Sequence, residues 1–81
     1  MAVAADARAA VLALLGERAA GATVCPSEAA RVLARGGDWR AEMPRVHEAV
    51  DALVGEGAVR LSWKGRQLAR RAGPYRIGRV D

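Results

Sequence analysis

The residues able to do covalent or metal chemistry are few. Cys25 is the only cysteine and His47 the only histidine in the chain. A catalytic nucleophile needs a base within reach and a third group to orient that base, and the dispersed carboxylates supply no such set. A tetrahedral zinc site built on Cys25 and His47 lacks its remaining donors. The chain is therefore expected to be no enzyme and to hold neither metal nor cofactor. Cys25, directly before Pro26, reads as a small buried residue. His47 reads as a surface or partner-contact residue on the flank of its helix.

What remains is cationic chemistry, and it is unevenly placed. Residues 1–59 carry six basic and eight acidic residues, a net −2, whereas residues 60–81 carry seven basic residues and one acid, a net +6. Positive potential concentrated at one end attracts an anionic partner. Lys64 and Arg66 flank a glycine turn, Arg60, Arg70 and Arg71 lie along the flanking segments, and Arg40 and Arg45 stand near the start of the preceding helix. With Trp63 they form the candidate nucleic-acid-binding set, and the expected partner is duplex DNA held mainly by its phosphates. Trp63 has three readings: stacking on a sugar or base, a cation–π contact with Arg66, or packing beneath the ribbon against Val59 and Leu61.

The helix before the ribbon argues against sequence-specific reading. Its face opposite Val46 and Val50 carries Glu48, Asp51, Ala52 and Gly55, whereas Arg, Asn and Gln are the usual base readers. Only Arg45, with His47 as a helper, is a plausible donor there. Two other functions fit the same residues. Glu48 and Asp51 would complement the basic ribbon of a second copy, giving a homodimer. Alternatively, the start of the helix at Pro26 exposes backbone N–H groups, and Ser27, Arg40 and Arg76 would then form a pocket for a small anion. The ordinary readings are helix-start chemistry for Ser27, an ion pair with Glu28 or Glu42 for Arg76, and core anchoring for Trp39.

The elements that must position these groups are set by local pattern. A first helix is predicted over residues 5–18, with Asp6 at its positive end and Ala7, Val11, Leu14 and Leu15 on one face. Ala22-Thr23-Val24 is a short β-prone piece able to join the ribbon as a third strand. Pro26 suits the first position of a second helix, with Ala29, Val32 and Leu33 inward and Glu28 supporting Arg31. Gly36-Gly37 ends it, and Asp38 caps the next helical segment. Pro44 is costly inside a helix, so residues 39–42 are read as a separate turn and Pro44 as the start of a third helix. Val46, Val50, Leu53 and Val54 make its buried stripe, and Gly57 is its left-handed stop.

Beyond that stop, Val59, Leu61 and Trp63 alternate with Arg60, Ser62 and Lys64, the period of a strand. A two-residue Lys64-Gly65 turn sets Trp63 against Arg66, Leu61 against Leu68 and Val59 against Arg70. Gly73-Pro74 breaks the ribbon, Tyr75-Arg76-Ile77 is a last extended piece, and residues 78–81 are read as loose. The fold class is thus α+β: a winged helix-turn-helix of three main helices, a short helical turn, and a two- or three-stranded antiparallel wing.

Four pieces, Cys25-Pro26-Ser27-Glu28-Ala29-Ala30, Trp39-Arg40, Met43-Pro44 and Gly73-Pro74-Tyr75-Arg76-Ile77, carry a resemblance. Over roughly residues 11–77 the chain resembles a small bacterial family of uncharacterised winged-helix proteins. The resemblance implies a fold and supplies no activity, ligand or catalytic residue.

Composition sets the outer bounds. Eighty-one residues form one domain, 1–81, with a core expected over about 5–77. With no Phe and three aromatic residues, that core must come from Leu and Val, with alanines letting helices approach closely. One cysteine excludes an internal disulfide and points to a reducing cytoplasm. The first fifteen residues do not read as a signal peptide, since Asp6 and Arg8 interrupt the alanines, and no run reaches the ~18 apolar residues of a membrane span.

Overall fold

The computed structural model describes residues 3–80. Three helices, α1 (Val3–Gly16), α2 (Pro26–Ala34) and α3 (Trp39–Gly55), pack on one another, and α1 and α3 pack on an antiparallel sheet. Its strands are β1 (Thr23–Val24), β2 (Val59–Trp63), β3 (Arg66–Leu68) and β4 (Arg76–Arg79), in the spatial order β1-β4-β2-β3. The class is α+β, with four strands rather than two or three.

In α1, Ala7, Val11 and Leu15 recur every fourth residue and are buried. The helix ends at Gly16 rather than Arg18. Beyond it the N–H groups of Glu17 and Arg18 bond back to Leu14 and Leu15 at 3.2 and 3.1 Å, the tighter spacing of a closing turn.

Pro26 opens α2, and the Glu28 carboxylate reaches back to accept the Cys25 N–H at 2.9 Å. Glu28 also pairs with Arg18, not Arg31. The buried side of α2 is Pro26, Ala29 and Ala30. Val32, expected inward, is 51% exposed. α2 is held by both α1 and α3, and adjacent Ala29 and Ala30 let both neighbours approach closely, which turns Val32 outward. Arg35 ends the helix in the left-handed region (φ 50°).

The expected break at Pro44 does not occur. Asp38 caps the helix through Oδ1, which accepts the Arg40 N–H at 3.1 Å, and α3 runs unbroken from Trp39 to Gly55. Trp39, Met43, Val46, Val50 and Leu53 form a single stripe that spans Pro44 without a change of phase, packed in or against the core. Burying such side chains is worth about 1.5–3 kcal/mol each, which outweighs the ~3 kcal/mol cost of an interior proline. Pro44 and Arg40 both lie on the exposed side, so the missing backbone bond is not sealed from solvent. The stop is as predicted. Gly57 is left-handed (φ +72°), and the N–H groups of Gly57 and Ala58 bond to Val54 and Leu53 at 3.0 and 2.9 Å, a Schellman motif.

The ribbon takes the predicted register over Leu61–Leu68, Ser62–Gln67 and Trp63–Arg66. Lys64 (φ 51°) and Gly65 (φ 81°) both lie at positive φ, as a type I′ turn requires. The match of Val59 with Arg70 does not form, because β3 ends at Leu68 and Val59 pairs with Arg79. Nor does β1 join the ribbon directly. β4 lies between them, with Ile77 opposite both Val24 and Leu61. Gly78 and Arg79, read as loose, are strand residues, while Asp81 lies outside the described residues. The reason is burial: Ile77 is fully inaccessible at the centre of the core facing the helices.

Candidate nucleic-acid interface

The hairpin projects its cations because the strand period leaves them nowhere else to go. Val59 and Leu61 face the helices, so Arg60 and Ser62 must face outward. Thr23, Gly78 and Arg60 stand in one row across the sheet, and Arg76, Ser62 and Gln67 in the next. This open face holds a shallow hollow of about 200 Å³ lined in part by Arg60, Ser62, Gln67 and Gly78. At the tip Lys64 and Arg66 are exposed, and Trp63, across from Arg66, is 38% exposed and lies outside the core cluster. No cation–π contact joins Trp63 to Arg66. The described contacts of that kind centre on Trp39, with the guanidinium carbons of Arg31 and Arg40 4.8 and 4.5 Å from its ring.

The eight predicted residues therefore divide. Arg60, Lys64, Arg66 and Arg70 are exposed and have no acidic partner among the described residues, and Trp63 stands beside them. Arg40 is exposed but stacked on Trp39. Arg45 is paired with Glu42 at 3.0 Å, one helical turn away. Arg71 is held by Asp51 through two bonds of 2.8 and 2.9 Å. That guanidinium pulls the Asp51 carboxyl below the ordinary carboxylate range. The helix face expected to read poorly thus has one of its two acids engaged within the molecule, while Glu48 remains exposed.

The three residues of the alternative anion pocket each make a contact elsewhere in the fold. Ser27 Oγ lies 3.1 Å from Cys25 Sγ. Arg76 donates from Nε to Thr23 Oγ1 at 2.6 Å and from a terminal nitrogen to the Thr23 carbonyl at 3.2 Å. Arg40 is on Trp39, and no hydrogen bond or ion pair joins any two of the three. The ion pair expected for Arg76 does not form either, because Glu28 is taken by Arg18 and Glu42 by Arg45.

One pair escaped the sequence reading. His47 Nδ1 and the Tyr75 hydroxyl stand 2.7 Å apart. His47, read as a surface residue, is half-buried, and Tyr75 is buried. Burial, joined by the Arg71 charge and partly opposed by Asp51, lowers the His47 pKa. Burial likewise raises the Tyr75 phenol above its usual range. No local signal links the two residues.

Among the described residues no three His, Cys, Asp or Glu side chains gather to hold a metal ion. No described helix is long and apolar enough to cross a membrane.

Fold and surface together define a small α+β domain with three helices on one side of a four-stranded sheet and an unpaired cationic hairpin at its edge. The chain matches the model of a family described as protein of unknown function, DUF3253, over residues 4–80, and it belongs to that family. Among curated proteins none matches it.

Proposed function

We propose that this domain is a winged helix that binds duplex DNA chiefly through the phosphate backbone, with the β2–β3 hairpin as the wing. The order of helix, strand, helix, helix and hairpin suits that fold. The single observation behind the functional reading is the division of charge. Arg60, Lys64, Arg66 and Arg70 are exposed and form no ion pair among the described residues, whereas Arg45 and Arg71 are paired with Glu42 and Asp51. Phosphate contact by the wing dominates, and α3 contributes little base reading.

Neutralising up to four phosphates gives weak binding of the non-specific kind, Kd about 10⁻⁴–10⁻⁶ M at physiological salt, with a log–log salt slope of about −3 to −4. Fluorescence anisotropy of a labelled duplex, titrated with the protein at several salt concentrations, tests this. Absence of binding at low salt, or binding indifferent to salt, rules the reading out.

A further inference from the structure

We propose that the outer face of α1 and α2 is the contact surface of a symmetric homodimer. Apolar residues run all round α1. Ala7, Ala10, Val11 and Leu15 are buried, yet Ala9, Leu12, Ala13 and Gly16 on its other side are exposed. A helix with apolar residues on its outer side as well as its inner one, broken only by Asp6 and Arg8 among its described side chains, offers its outer side to a second layer. Leu12 (40% exposed) and Val32 of α2 (51%) are two of the four large exposed hydrophobic residues among those described. Between the helices runs a groove lined by Asp6, Ala9, Ala10, Val32, Leu33 and Arg35. The small residues on α1 let a second helix approach closely.

Charge selects a second copy as the occupant. Asp6 and Arg35 are exposed in the same groove, and neither side chain has an ion-pair or hydrogen-bond partner among the described residues. Arg8, the only other charged residue of α1, is already bound to Glu56 by two bonds of 2.7 Å. A two-fold axis through the groove sets Asp6 of each chain against Arg35 of the other, so one acid and one base satisfy both sides. A polyanion or a uniformly charged peptide would meet one matching and one opposing charge. No wing residue lines the groove, so the dimer leaves both hairpins free, and it stands whether or not the hairpin binds DNA. The acidic patch Glu48/Asp51 is not its basis, since Asp51 is paired with Arg71.

Sedimentation equilibrium of the full chain across a concentration series tests the proposal. The wild type forms a monomer–dimer equilibrium. Leu12→Glu and Val32→Glu each weaken it by at least about tenfold, as for a charge introduced into an apolar contact, while circular dichroism and thermal midpoint hold because both sites are exposed in the monomer. Asp6→Arg and Arg35→Asp each weaken self-association through two like-charge contacts. An equimolar mixture of these two variants recovers dimers, because every contact in the mixed pair is again complementary. Arg35 is a suitable site, since its left-handed conformation is one that Asp tolerates. A wild-type chain that stays monomeric at all concentrations, as it would if this face served a different protein, overturns the proposal. So does a dimer indifferent to Val32→Glu, or a mixture that stays dissociated.

Discussion

The hydroxyl of Tyr75 and Nδ1 of His47 are hydrogen-bonded at 2.7 Å, with their rings tilted by 52°. The bond ties the segment entering β4 to the middle of α3 and so fixes the last strand over the core. Tyr75→Phe keeps the ring and deletes the bond. The expected loss is about 0.5–1.5 kcal/mol, a fall in thermal midpoint of several degrees for a domain of this size. Tyr75→Ala also opens a cavity and is expected to cost about 3–5 kcal/mol. Thermal unfolding by circular dichroism separates the two, and a Phe variant as stable as wild type would remove the bond from the account.

The same pair makes stability depend on pH. His47 has a lower pKa in the folded state than its ordinary 6.5, chiefly through burial, so the unfolded chain takes up the proton first. The contribution is complete above about pH 6.5 and is lost as pH falls through that value towards the lower folded pKa. Asp51 and Glu56, lowered by Arg71 and Arg8, act in the same direction but only in the carboxylate range. Thermal midpoints measured from pH 8 to pH 5 are expected to fall for the wild type and to stay flatter for His47→Gln. Equal slopes would assign the effect to other groups.

Cations of the hairpin and cations of α3 are expected to behave differently towards DNA. Lys64→Ala and Arg66→Ala each remove one phosphate contact and reduce the magnitude of the salt slope by about one, with no change in unfolding. Arg71→Ala leaves the slope alone and alters stability by at most about 1 kcal/mol, as for an exposed ion pair. An Arg71 effect equal to that of Lys64 would mean that Asp51 releases Arg71 on binding.

Two neighbouring glycines have opposite roles. Gly55 is the last helical residue, and a Cβ there meets nothing within 4 Å, whereas Gly57 holds φ +72°. Gly55→Ala is expected to stabilise by up to about 1 kcal/mol. Gly57→Ala is expected to destabilise by more than that, because the left-handed stop strains any side chain. Urea midpoints of the two variants moving the same way would contradict the assignment of the cap.

Much of the frame was legible because its signals are local. The Leu61–Leu68 register comes from a period of two around Lys64-Gly65. The end of α3 is set by Gly57, and the charge asymmetry can be counted. These features depend on residues only a few positions apart, where backbone sterics and hydrogen bonding act directly.

Tertiary structure decided the rest. A proline next to Met43 reads as a break until the core shows one apolar stripe running from Trp39 to Leu53 on both sides of it. Gly78 and Arg79 read as a loose end until Ile77 before them is found between Val24 and Leu61, in a strand that continues to Arg79. Which arginines meet an acid was equally hidden, since Arg71 finds Asp51 and Arg18 finds Glu28 only after the chain has folded. Such outcomes belong to contacts between distant segments, whose energies local propensity does not contain and is often too small to resist.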